Sequence, residues 1–127
     1  MRVEQGLLYT KDHEWIKVEG NVGYVGVTDF AQSHLGDIVY VELPEVGDEI
    51  GKEDAFASVE SVKTAADVNM PASGKVEEVN EALNDDPALI NADCYANWMV
   101  KIAISDPGEL DSLMSPEAYE EFASKEE

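Results

Sequence analysis

A mainly β fold with short peripheral helices and a helical C-terminal segment is what this sequence predicts, on three observations. Aromatic and β-branched residues cluster in runs of four to seven between residues 7 and 62, a length and composition that suit strands. Turn chemistry separates those runs, as at Glu19-Gly20-Asn21, Pro44-Glu45-Val46-Gly47-Asp48 and Pro71-Ala72-Ser73-Gly74. Helical capping signals are confined to short stretches and to the last twenty or so residues. A chain of 127 residues holds one modest hydrophobic core, so residues 1-127 are expected to form one domain with one site.

The elements follow in order. Glu14 to Val18 and Val22 to Val27 flank Glu19-Gly20-Asn21 as a hairpin. Gly20, Gly23 and Gly26 do not form a dinucleotide fingerprint, because no GxGxxG is present and no long helix follows; they serve a turn and close strand packing. Thr28 caps a short helix through Gln32 to Leu35, which Gly36 stops. Ile38 to Leu43 resumes a strand, with Val39, Val41 and Leu43 expected on one face and Tyr40 and Glu42 on the other. Asp54 to Val59 and Ala65 to Met70 are the next strands, with Ala55, Ala57 and Val59 alternating against Phe56 and Ser58. No Gly or Pro stands between them at Ser61-Val62-Lys63-Thr64, so propensity alone predicts no turn there.

Lys75 to Val79 follows as a strand, and Asp86-Pro87 starts a helical turn towards Ile90 with Asp as cap and Pro at the first position. Trp98 to Ile104 is the last strand. Asp106-Pro107-Gly108-Glu109 is close to a capping box, and Ser115-Pro116 opens a helix whose Ala118, Tyr119, Phe122 and Ala123 share an apolar stripe facing the sheets. Ser124 to Glu127 is expected to fray.

Composition narrows the function. The formal charge of −20 opposes nucleic acid and anionic membranes; it either only keeps the chain soluble and monomeric or steers it towards basic patches on partner proteins, and a salt-adapted source would produce the same charge. With Cys94 the only cysteine, no intrachain disulfide forms, and a reducing compartment is the simplest setting. Met1 to Gly6 carry no signal segment, and no apolar run approaches a membrane-spanning length, so a soluble, processed protein is expected.

Catalytic constellations are missing. His13-Glu14 lacks the second imidazole of HExxH because position 17 is lysine, and His34 has no His or Cys at ligand spacing, which makes both histidines structural or surface groups. No GxSxG elbow occurs, and Cys94 beside Asp93 reads as an inert buried or half-buried thiol. Carboxylates are so abundant that no pair stands out for acid-base work. A true enzyme therefore finds no support, and Lys63, between two apolar strand-like runs in a lysine-poor chain, is the residue that stands out.

Tyr9-Thr10-Lys11-Asp12-His13-Glu14-Trp15, Val25-Gly26-Val27-Thr28-Asp29-Phe30-Ala31-Gln32, Leu35-Gly36-Asp37-Ile38-Val39 and Leu43-Pro44-Glu45-Val46-Gly47 carry the informative pattern. It continues through Glu60-Ser61-Val62-Lys63, Pro71-Ala72-Ser73-Gly74-Lys75-Val76, Glu78-Val79-Asn80 and Pro87-Ala88-Leu89-Ile90-Asn91. This series, spanning roughly residues 7 to 122 in order, resembles the glycine cleavage system H proteins. The resemblance implies a flattened antiparallel β sandwich of the barrel-sandwich hybrid, lipoyl-domain-like type, and it places Lys63 on a hairpin tip. Gly74, eleven residues beyond Lys63, recurs at that spacing in lipoyl domains. One departure lies at Asp93-Cys94-Tyr95-Ala96-Asn97-Trp98, where the family commonly has proline in place of Cys94 and one more residue before Trp98. It bears on the loop before the last strand and on any partner contact made there.

By the same resemblance, Lys63 carries lipoate through an amide, and the domain is a non-catalytic carrier. Its implied partners are a PLP-dependent glycine decarboxylase (P protein), a tetrahydrofolate-dependent aminomethyltransferase (T protein), dihydrolipoamide dehydrogenase (L protein) and a lipoyl-attaching enzyme. The aminomethyl unit passes from the first to the second, and the dithiol then goes to the third. Glu14, His34 and Asp67 are candidates for a cleft that shelters the loaded arm, and Glu60, three residues before Lys63, for recognition by the attaching enzyme. A cytoplasmic location is implied for a bacterial source, and the mitochondrial matrix for a eukaryotic one. Two rivals use the same lysine: a lipoyl carrier or donor for other lipoate-dependent systems, and a biotin carrier. The second fits less well because Val62 and Thr64 stand where biotin acceptors have methionines.

Overall fold

A computed structural model describes residues 1–126. Two antiparallel sheets face each other across an apolar core. The larger comprises β1 (Leu8–Tyr9), β2 (Glu14–Glu19), β3 (Val22–Val27), β9 (Val100–Ile104), β8 (Gly74–Val79) and β5 (Glu49–Ile50), in that spatial order. The smaller holds β4 (Ile38–Glu42), β6 (Ala55–Ser61) and β7 (Ala65–Asn69). Ile16, Val25 and Ile102 from the large sheet meet Val41, Val59 and Val68 from the small one, all nearly inaccessible to solvent. The sandwich expected from the family resemblance is thus the observed architecture.

Local chemistry explains most elements. The β2–β3 hairpin registers Glu19 against Val22, leaving Gly20-Asn21 as a two-residue turn with Gly20 at φ +65°. Gly26 lies beneath the Trp15 ring, where a Cβ would stand 2.8 Å from the indole; the cross-strand pair works only because one partner lacks a side chain. Thr28 accepts from the Ala31 amide to start α1 (Asp29–Leu35), and Gly36, at φ +82° and ψ −157°, ends it.

Several expectations need correction. A β-bulge between Ile38 and Tyr40 breaks the alternation of β4, so that Ile38 and Val41 point inward while Val39 joins Tyr40 outside. A second irregularity between Ala55 and Ala57 buries Phe56 together with Ala57 and leaves Ala55 exposed. A short helix α2 (Ala82–Asp85) was not foreseen, because it carries no side-chain cap. The next turn, α3 (Leu89–Ala92), begins two residues after Pro87. Asp106 caps a 3₁₀ turn at Pro107–Ser112 through the Gly108 amide. In the C-terminal helix α4 (Pro116–Ser124) Ala118 is exposed, and the buried face is Pro116, Tyr119 and Ala123. Fraying of the end was expected over 124–127; Lys125 and Glu126 continue the backbone bonding of α4, and Glu127 lies outside the described residues.

Candidate functional site

The β6–β7 connection is a tight turn made without Gly or Pro. Ser61 makes it: its amide donates to the Thr64 carbonyl at 2.7 Å, and its Oγ accepts from the amides of Thr64 (3.1 Å) and Lys63 (3.3 Å). A serine hydroxyl that satisfies the turn's own amides does the work usually left to glycine, and this signal was available in the sequence. The Val62 amide donates to Asp37 O at 3.1 Å, stitching the tip to the link between α1 and β4. Lys63 is exposed on this tip, and its stem runs past Gly36, where a Cβ would sit 3.5 Å from Lys63 Cε. Glu60 is exposed one register step below the turn, opposite Tyr40 and Ala65, and forms no ion pair among the described residues.

A cleft of about 190 Å³ opens beside this hairpin, between α1 and the β6–β7 pair. Its walls are mostly apolar, with Phe30, Ala31 and Leu35 from the helix and Val59, Ala66 and Val68 from the strands. Glu14, His34 and Asp67, the three residues singled out for such a cleft, all line it. Larger hollows, of about 220 to 370 Å³, lie elsewhere, among them one near Met70 and Met114 and one beside Trp98; the smaller one matters because it lies beside the Lys63 hairpin and gathers these polar groups.

Each polar group is held differently. Glu14 is buried, 3 % exposed, with Oε1 accepting from Thr10 Oγ1 at 2.5 Å and Oε2 from the Asn69 amide at 3.3 Å. Burial outweighs those bonds and pushes its carboxyl up to about 7. His34 is exposed; its Nδ1 lies 3.1 Å from Phe30 O, and a carbonyl only accepts, so Nδ1 carries the proton, while Nε2 has no partner among the described residues. Asp67 is exposed on β7. An apolar trough ending in an anionic or titratable carboxylate, an imidazole and a second carboxylate fits a flexible apolar chain that ends in a cationic or hydrogen-bonding head. On that ground the residues fit a lipoyl arm on Lys63.

Besides Asp12, sequence reasoning missed the lining residue His13. It sits at φ +69°, stacks on Phe30 at 4.2 Å, and Phe30 in turn stacks on His34 at 4.1 Å. The Tyr119 hydroxyl bonds both His13 Nδ1 and Thr28 Oγ1 at 2.7 Å, so α4 braces the cleft wall from behind. Only a partner far along the chain gives His13 this place, and adjacent residues carry no sign of it.

The unusual loop before β9 is built on Asp93, whose Oδ1 accepts from Arg2 Nη2 at 2.6 Å and from the amides of Tyr95 and Ala96 at 3.1 Å. Cys94 is buried and its thiol is pushed up to about 12, chiefly by desolvation, which leaves it unreactive as expected. Among the described residues no helix is long and apolar enough to cross a membrane.

Comparison with known proteins agrees with this geometry. The family model described as glycine cleavage H-protein matches residues 7–126. The glycine cleavage system H protein of Alkaliphilus oremlandii is 58% identical over 99% of both chains. That of Thermoanaerobacter pseudethanolicus is 53% identical over 99% of this chain and 100% of its own. The crystal structure of a glycine cleavage system H protein from Mycobacterium marinum superposes with a TM-score of 0.85 at 37% identity, covering 98% of each chain. With the model spanning nearly the whole sequence and the fold matching throughout, the chain belongs to the glycine cleavage H-protein family.

Proposed function

We propose that this chain is a non-catalytic lipoyl carrier, acting as one domain over residues 1-127 and as a monomer, with lipoate joined to Lys63 Nζ by an amide. The observation that carries the reading is the pairing of an exposed lysine on a stitched hairpin with an adjoining cleft lined by Glu14, His34 and Asp67. When attached, the group supplies a disulfide–dithiol couple that takes up and releases a one-carbon amine unit and two electrons. Lys63 contributes reach and a fixed base, because the Ser61 and Asp37 bonds hold the tip while its stem stays free to swing. Asp67, and Glu14 once ionised above about 7, supply negative charge to an amine lodged in the cleft, His34 Nε2 accepts or holds its proton, and the apolar walls exclude water.

The partners are those of glycine cleavage: the glycine decarboxylase, the aminomethyltransferase and dihydrolipoamide dehydrogenase in turn, with a lipoyl-attaching enzyme acting first. Family membership supports this set, and the bacterial relatives support a cytoplasmic location. Intact mass after incubation with lipoate, ATP and a lipoate ligase tests the attachment; the parent gains one lipoyl group and Lys63→Arg gains none. Glycine–bicarbonate exchange with the decarboxylase separates this reading from a lipoyl donor for other systems, and a biotin ligase arm separates it from a biotin carrier. For the cleft, Glu14→Ala and Asp67→Ala are expected to shorten the lifetime of the loaded carrier; unchanged lifetimes would remove both residues from that role.

A further inference from the structure

The bulge in β4 leaves an apolar patch that neither the core nor the cleft uses. Val39 is 54% exposed, Tyr40 50% and Val62 72%, three of the five large apolar side chains exposed in the described chain. They are neighbours: Ile38 pairs with Ser61 and Tyr40 with Glu60, so Val39 and Val62 flank the first pair. The Val62 amide bond to Asp37 O holds the tip against the start of β4. Without the bulge, alternation would turn one of Val39 and Tyr40 inward; with it, two consecutive large side chains face solvent beside the Lys63 hairpin. Exposed Asp37, Glu42 and Glu60 rim the patch. An apolar centre with an acidic border fits a partner face with an apolar centre and a basic border.

Reach selects the partner. A lipoyl-extended arm lets an enzyme work at a distance from the hairpin, whereas the unmodified lysine stem extends only about 6 Å beyond its Cα. The enzyme that acylates Lys63 must therefore bring its active site against the tip, and its body against what lies beside it. We propose that Val39, Tyr40 and Val62 form the docking surface for that acyl-transferring enzyme; this rests on the Lys63 reading above. In the step served, the Lys63 ammonium loses a proton and its lone pair attacks the carbonyl of an activated acyl donor, an acyl-adenylate or thioester. The amide C–N bond forms, the acyl–oxygen or acyl–sulfur bond breaks, the leaving group departs with that electron pair, and the nitrogen sheds a second proton.

The test uses the full unmodified chain with a lipoate ligase, lipoate and ATP, scored by intact mass over time. Val39→Ser/Tyr40→Ser and Val62→Ser are expected to lower kcat/KM about tenfold through KM with kcat held. Val46→Ser, equally exposed at 63% but in the turn beyond the far end of β4, is expected to match the parent. Glu42→Lys, a rim change outside the apolar packing, should raise KM, and more so at low salt. Parent-like KM in the patch variants overturns the proposal while leaving Lys63 as the acceptor; absence of acylation in the parent overturns the Lys63 reading itself. Normal ligation with a raised KM of the lipoylated variants for the decarboxylase assigns the patch to that enzyme and overturns the proposal. So does a concentration-dependent dimer of the parent that the patch variants abolish.

Discussion

Glu14 shows at the level of one side chain how the cleft is tuned. Its carboxyl borders both the cleft and the hollow near Met70, yet little of it meets solvent. Burial raises it from 4.5 to about 7, so the folded chain holds this proton more tightly than the unfolded one. The associated stability is full below about 4.5 and is lost as pH rises through about 7, a difference on the order of 3 kcal/mol. Glu14→Gln is therefore expected to flatten that part of the profile and to be the more stable protein at pH 8, checked by urea unfolding at pH 5 and pH 8. Gly36 gives a second residue-level expectation. Its φ and ψ fall in a region open only to glycine, so Gly36→Ala costs about 1–3 kcal/mol in the same assay through backbone strain, while the added methyl meets the Lys63 stem at an ordinary 3.5 Å.

Between elements, α4 and the cleft are coupled through one phenol. Tyr119→Phe keeps the stack on Tyr9 but strips Thr28 and His13 of a buried partner, and a loss of about 1–3 kcal/mol is expected by thermal unfolding. If the His13–Phe30–His34 stack loosens with it, the proposed loaded form of the carrier is expected to be shorter-lived as well. How much of this was legible depends on the range of the cause. The β2–β3 hairpin and the Thr28 and Gly36 ends of α1 are written in adjacent residues, and they read correctly. The irregularities in β4 and β6 arise from pairing across strands, α2 has no side-chain cap, and the buried face of α4 runs through Pro116, Tyr119 and Ala123 rather than Ala118. Lys63 and the cleft trio were reached through resemblance, since propensity predicted no turn at Ser61 to Thr64.

For the whole molecule, charge sets two opposing salt effects. At −20 the folded chain repels itself, so raising the salt from about 10 to about 300 mM is expected to stabilise it by on the order of 1 kcal/mol, or about 4 °C in Tm. On the carrier role proposed above, the same salt weakens steering towards basic partner faces, and KM for each partner is expected to rise over that range. Calorimetry and steady-state kinetics on one sample would show stability and recognition moving in opposite directions.

Residues near both ends of the described chain are fastened to the start of α1. The Arg2 amide donates to Asp29 Oδ2 at 2.6 Å, and Tyr119 near the other end bonds the Thr28 cap. A circular permutant that joins the two extremities through a short flexible linker and opens at Val46-Gly47 should therefore fold, whereas bulky fusions at either extremity would strain the helix that walls the cleft.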